Sequence, residues 1–277
     1  MFMKRRSIAQ MVLLGALVVA TPAAAIIMRH DVPEERYRNL GEKYRGYLVQ
    51  LNLPGHKPDA PKYLTNGMGT LIAPQWVITA AHTALRLQPG RPDSIDLATH
   101  FVYINGRGYK IAKVFVHPGS APSDEGPMAN DIALLKLATP EKEAKIACIY
   151  DGRDEVDKLV ILAGMGVPGD GIAGTGKDDG VLRGATVRVD AVEPDNKLSW
   201  TFRRPGDPRT TPMEGISGPG DSGGPAFIEQ AGNLCVAGIS SAQDTKGGEL
   251  SLYGVTEYYT RVSSYASWIR QVMSDNP

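Results

Sequence analysis

Along most of this chain, apolar positions come in short alternating or continuous runs broken by glycine and proline. Residues 47–53, 69–72, 76–79, 101–104, 110–116 and 131–137 carry such runs between turn clusters, the pattern of half-buried or buried strands. A second set follows at 158–163, 182–189, 198–202, 225–228, 234–240 and 250–255. The polar, charged stretch 140–156 between them predicts a crossover between two halves. Near the end the period changes. Val262, Tyr265, Ala266, Trp268, Ile269 and Val272 recur at helical spacing, with Ser263 or Ser264 placed to cap the first turn. The pattern predicts an all-β fold in two lobes with one C-terminal helix.

Composition narrows the picture. The 277 residues suffice for one large domain or two small ones, and 42% hydrophobic with 22% charged residues is ordinary for a globular chain. Thirty basic residues balance thirty acidic ones, so neither nucleic acid nor an anionic membrane surface is expected as a partner. Residues 1–25 read as an export signal: Lys4, Arg5 and Arg6 precede an apolar run from Ile8 to Ala20, and Ala23, Ala24 and Ala25 form a small-residue cleavage site. The run holds about 13 apolar residues, against the roughly 20 a membrane span needs. A secreted or periplasmic protein without a stable membrane anchor after cleavage is expected, its body running from 26 to 277. Removing the signal leaves a net charge of −3. The only two cysteines, Cys148 and Cys235, fit either a disulfide or two buried thiols, and neither lies in a CxxC.

Candidate chemistry centres on Gly220-Asp221-Ser222-Gly223-Gly224-Pro225. So many glycines around one acid and one hydroxyl make a tight turn that exposes a serine oxygen and gathers successive backbone N–H groups, as acyl transfer requires. A nucleophilic serine needs a base. Of five histidines, His82 ends the apolar run Trp76-Val77-Ile78-Thr79-Ala80-Ala81, with small Ala80 and Ala81 leaving room for its ring. Asp131 heads the apolar run Ile132-Ala133-Leu134-Leu135, and a carboxylate entering a core needs a donor partner, which His82 would be.

These blocks, in this order, resemble the trypsin/chymotrypsin-like serine peptidase family. Thr79-Ala80-Ala81-His82 resembles its histidine block, Asp131 to Leu135 its aspartate block and Gly220 to Pro225 its serine block. Gln75-Trp76-Val77-Ile78 and the closing Tyr259-Thr260-Arg261-Val262 and Ser267-Trp268-Ile269 match as well, over roughly 40–271. The resemblance implies two six-stranded antiparallel β-barrels, about 40–140 and 155–260, with a C-terminal helix over about 263–274. It implies that Ser222 attacks a peptide carbonyl of a protein or peptide substrate, that His82 is base and then acid, that Asp131 orients it, and that the N–H groups of Gly220 and Ser222 form the oxyanion hole. It implies no cofactor and a monomer, and no ligand cluster for calcium or another metal is visible. An inactive protease-fold binding protein and an esterase-like hydrolase are the alternatives; the intact three blocks speak against the first.

Departures from the family bear on the details. Thr83 and Gly67 stand where the family has a disulfide beside the histidine, and Gly218 replaces a cysteine that staples the specificity pocket. Ile216 stands where trypsins carry the pocket aspartate, which argues for an apolar or small preference. Ser241, Ala242 and Gln243 are expected along the substrate strand and pocket wall, and Glu257 falls where the family often has a pocket glycine, so a basic preference stays open. Cleavage after Ala25 would free Ile26, with Asp221 as the acceptor for its ammonium, although Met28-Arg29 replace the family's usual glycine pair. Gly171 to Lys177 fits a nucleotide-loop frame, but Asp178 stands where magnesium needs a hydroxyl, and a surface loop is expected. His30-Asp31 with Glu34 and Glu35 is expected to be a solvated charged segment.

Overall fold

The computed structural model describes residues 26–51, 67–88, 90, 96–122, 128–244 and 249–277. The expected export signal, 1–25, lies outside the described residues. The described chain opens with a two-residue strand, β1 (Ile27–Met28), and a helix, α1 (Glu34–Tyr44). The charge-rich segment around Glu34 and Glu35 is therefore the first turn of a helix, where acids favour the positive end of the helix dipole. Its buried face is narrow, Tyr37 and Gly41 alone. Gly41 is glycine for a reason of space: a Cβ there would lie 2.5 Å from the backbone of Arg183.

Six strands then close a barrel. They are β2 (Leu48–Gln50), β3 (Met68–Ala73), β4 (Trp76–Thr79), β5 (Phe101–Ile104), β6 (Arg107–Val116) and β7 (Ala133–Leu137), hydrogen-bonded in the order β2-β3-β4-β7-β6-β5. All are antiparallel. The inward residues Val49, Leu71, Val77, Val102, Ile104, Leu135 and Leu137 fill the barrel, each large aliphatic side chain contributing about 1.5–3 kcal/mol by leaving water.

The second lobe is built from β8 (Cys148–Ile149), β9 (Leu159–Gly164), β10 (Gly169–Asp170), β11 (Gly174–Thr175), β12 (Arg183–Arg188), β13 (Ala191–Glu193), β14 (Lys197–Thr201), β15 (Gly215–Ile216), β16 (Pro225–Gln230), β17 (Asn233–Asp244) and β18 (Thr256–Arg261). Its main sheet curls in the order β12-β9-β16-β17-β18-β14-β13, with β8 parallel to β17, and its ladder does not join end to end as the first barrel's does. Cys148 and Cys235, paired in register between β8 and β17, form a disulfide. A small sheet, β11-β10-β1-β15, ties the N-terminal strand to the second lobe.

Two local expectations change. The alternating residues 250–255 form turns, and the strand falls at β18, 256–261. The C-terminal helix, α3 (Ala266–Asp275), starts after a short 3-10 turn and has Tyr265 at its N-cap, with no side-chain cap. Ser263 instead donates to the buried Glu155, and Ser264 to Asn196. A shared core welds the lobes: Met68, Ile78, Ile132 and Leu134 of the barrel meet Ile161, Phe227, Ile239, Val262 and Ile269.

Candidate active site

Strand β4 is buried at every position, and fully buried Ala80 and Ala81 let the chain turn at once into a four-residue helix, α2 (Ala81–Ala84). That turn brings His82 out at the barrel's edge with its ring about a third exposed. Asp131 enters from the other side, at the head of β7, after Asn130 takes a positive φ of 45°. The carboxylate is fully buried and receives three donors: the His82 backbone N–H (2.9 Å), the His82 ring Nδ1–H (2.8 Å) and the Ser241 hydroxyl (2.6 Å). Ser241 belongs to the second lobe. It is the extra residue of a bulge between the pairs Ser240–Tyr259 and Ala242–Tyr258, and bulges of this kind re-aim a side chain. Burial works to raise the pKa of Asp131, but the bonds from His82 and Ser241 outweigh it and hold the carboxyl below its usual range. The ring's one bond to the carboxylate puts the proton on Nδ1 and leaves Nε2 as the acceptor, while the backbone bond fixes where the ring sits.

The serine loop docks against this corner. Ser222's carbonyl accepts the Met68 N–H at 2.8 Å, and Gly223's N–H bonds Ser240 at 2.9 Å. Gly223 has φ +80°, and a Cβ there would strike Thr79 Oγ1 at 2.2 Å and reach Ala80 N at 3.0 Å. Only glycine permits both that conformation and that approach. Where the family has a disulfide, Gly67 lets the Thr83 methyl pack close, 2.9 Å from where a Cβ would be. Hydroxyl bonds join the pieces: Thr83 to the Ala80 carbonyl (2.7 Å) and Thr79 to the Met68 carbonyl (2.7 Å).

Ser222 lines a cavity of about 180 Å³, and its hydroxyl takes no hydrogen-bond partner among the described residues. The N–H groups of Asp221, Gly223 and Gly224 are all paired, whereas those of Gly220 and Ser222 are free among the described residues. The Pro219 carbonyl accepts the Val167 N–H (2.5 Å). In a planar trans peptide the Gly220 N–H must then point the opposite way. Asp221 underpins this turn, its fully buried carboxylate accepting from Gly166 N–H (2.6 Å) and Gly218 N–H (2.9 Å). Burial pushes its pKa up to about 6, against these bonds and one from the backbone of Ile26. The residue expected at a freed amino terminus thus lies beside the expected acceptor. Gly218, at the position of a family cysteine, has no room for a Cβ, which would fall 1.8 Å from the Val167 carbonyl oxygen.

The cavity wall comprises Ser217, Gly218, Pro219, Ser240, Ser241, Ala242, Gln243 and Leu250. Three of the expected pocket residues, Ser241, Ala242 and Gln243, are among them. Ile216 is a correction: it pairs with Ile27 through β15 and β1 and is fully buried in the second lobe's core, so its side chain is spent on packing. Glu257 lies one layer behind the wall, fully buried, accepting from the Ser217 N–H (2.9 Å), the Ser217 hydroxyl and Trp200 Nε1–H (3.0 Å). Burial drives its pKa up to about 8 against those bonds. Ser217, Pro219, Ser240 and Leu250 escaped the sequence reading. Ser217 and Pro219 flank Gly218, so the serine block's own spacing pointed to them.

Other motifs resolve plainly. Gly171 sits under the Tyr253 ring and bonds Met28, and 171–177 continues into β11 with no helix after it. Asp31 pairs with Arg29 and His30 with the Tyr253 hydroxyl. No group of metal-ligating side chains occurs among the described residues.

A protein-family model described as Trypsin matches residues 45–269. Over 233 residues, 75% of this chain, the sequence is 31% identical to the complement C1s subcomponent of Sus scrofa. The chain spans 32% of that relative's length.

Proposed function

This chain belongs to the trypsin-like serine peptidase family, and from that membership we propose that it is an exported endopeptidase with Ser222 as its nucleophile. His82 takes the hydroxyl proton as Ser222 attacks the peptide carbonyl, then returns it to the leaving amine. Asp131 fixes the ring's tautomer and steadies the imidazolium. The N–H groups of Gly220 and Ser222 bind the oxyanion, each such donor being worth about 3 kcal/mol in the transition state. A free nucleophile–base pair fits a substrate-free enzyme, in which that bond tightens on binding. Water then hydrolyses the acyl-enzyme by the same proton relay.

The observation that carries this reading is the meeting of both lobes on Asp131: His82 from the first and Ser241 from the second bond one carboxylate oxygen, with the Ser222 loop seated against the same corner. Export rests on the three-part signal pattern in 1–25. Cleavage after Ala25 would turn the Ile26 amide beside Asp221 into an ammonium, and that ion pair would brace the turn carrying Gly220. The substrate is protein or peptide, with no cofactor. Treating the mature protein with a fluorophosphonate should label Ser222 and no other residue. Ser222→Ala should abolish labelling and lower peptide turnover by about 10⁶-fold. A mature protein that resists the probe would overturn the proposal.

A further inference from the structure

Among the described residues, the wall of the cavity beside Ser222 carries no charged side chain, yet a carboxylate, Glu257, is buried immediately behind it. What separates the two is Gln243. It rises from the strand that forms one wall (β17), and its amide Nε2–H donates across the cavity to the Ser217 carbonyl on the opposite wall, at 2.7 Å. Its Oε1 accepts the Ser251 N–H at 3.3 Å, from the loop that carries Leu250. The same carboxamide acts on the Glu257 carboxyl in the direction that lowers its pKa, against the effect of burial. One side chain therefore spans the basin and is held at both ends of its amide. Ser217 completes the floor, its N–H and hydroxyl both turned back onto Glu257.

From this geometry we infer that Gln243 is a plug that makes the cavity a shallow receptor for uncharged, non-aromatic side chains on the acyl side of the scissile bond, and shuts Glu257 off from substrate. The inference rests on the peptidase reading of the same site and adds its substrate class. A long cationic side chain aimed at Glu257 meets the Gln243–Ser217 bridge first. A flat ring would need the slot that the bridge crosses. Breaking the bridge to admit a ring leaves a buried carbonyl at Ser217 without its donor, which costs about 1–3 kcal/mol, enough for roughly a ten- to hundredfold discrimination, and admitting a cation pulls the Gln243 amide off both Ser217 and Ser251. An aliphatic or hydroxylated side chain stops above the bridge against Ala242, Pro219 and Leu250 and leaves it whole. Glu257 strengthens the exclusion: buried without a cation, its carboxyl holds its proton in neutral water and offers an incoming ammonium no charge.

The test is a series of peptide anilides identical except at the residue before the scissile bond, read as kcat/KM on the mature protein after fluorophosphonate labelling has established a reactive serine. Ala, Ser, Thr, Val or Leu should exceed Lys, Arg, Asp, Glu, Phe and Tyr by at least tenfold. Opening the floor with Gln243→Gly should raise the Lys and Arg rates at least tenfold relative to Ala, and Glu257→Gln in that background should remove the gain. A labelled wild type that prefers a charged or aromatic residue would overturn the plug while leaving the peptidase reading intact. So would a labelled Gln243→Gly protein whose ranking is unchanged, or a gain that survives Glu257→Gln. A wild type that is neither labelled nor active would overturn both readings together. Should Gln243→Gly not fold, Gln243→Ala removes the same bridge, and the wild-type series decides by itself.

Discussion

Asp131 and Glu257 are both completely buried carboxyls near the Ser222 cavity, each met by donors from backbone and side chain, yet their pKa values are pushed in opposite directions. Asp131 is held below its usual range and Glu257 is driven up to about 8. The number of hydrogen bonds does not separate them. The kind of partner does. Asp131 faces an imidazole that can carry a positive charge, whereas Ser217, Trp200 and Gln243 offer Glu257 only neutral dipoles, too weak to offset desolvation. Asp221 stands between the two. It is as buried as Glu257, with only backbone N–H donors, and its pKa rises to about 6. A cation at Ile26 would move it from the Glu257 condition to that of Asp131.

The sharpest way to break this comparison is at Asp131. Asp131→Asn keeps the shape but removes the acceptor that fixes the ring, and kcat should fall by about 10⁴-fold. A loss below tenfold, measured by steady-state peptide hydrolysis, would mean that the pairing with His82 is only structural. Next in size is the amino terminus. A precursor cleaved only upstream of Ile26 should turn over peptide about 10²–10³-fold more slowly than the form beginning at Ile26, the loss of one oxyanion donor. Equal rates for two forms verified by N-terminal sequencing would contradict the role given to Asp221.

Glu257 makes a prediction with a definite sign. Its folded pKa lies above its unfolded value near 4.5, so the folded state holds the proton longer. The stability this contributes is fully present below pH 4.5 and is lost as the pH rises through about 8. Between those values Glu257→Gln should flatten the decline of the thermal midpoint that the wild type shows on top of its other titrations. A wild-type and variant pair with parallel midpoint profiles would show that Glu257 is ionised in the fold. Smallest of all is Thr83→Val, which removes the hydroxyl bond to Ala80 where the family has a disulfide. A loss of about 1 kcal/mol, or roughly 2–4 °C in a chain of this size, is expected by calorimetry, and no change would remove that bond from the list of supports.

The catalytic candidates were legible because each interrupts its pattern: a histidine closing an apolar strand, an acid opening one, a serine among glycines. Most strands of both lobes were legible by alternation for the same reason. What escaped depended on burial that residue type disguises. Helix α1 buries only Tyr37 and a glycine, so it gives almost no periodic signal. Residues 250–255 alternate like a strand yet form turns, while the true strand, β18, carries the buried Glu257 where a binary reading expects solvent. Ile216 lies at the family's pocket position, but the pairing of β15 with β1 turns it into the core. Pairing of Cys148 with Cys235 needed the register of β8 on β17, which no local pattern encodes.

The convergence of the His82, Asp131 and Ser222 segments is tested most directly by a crystal structure of the mature protein inhibited with a fluorophosphonate. The phosphorus should be bonded to Ser222 Oγ, its oxygen within about 2.7–3.1 Å of the N–H groups of Gly220 and Ser222, with the His82 ring still bound to Asp131. Phosphorus on another side chain, or an oxygen turned away from those two amides, would contradict the account.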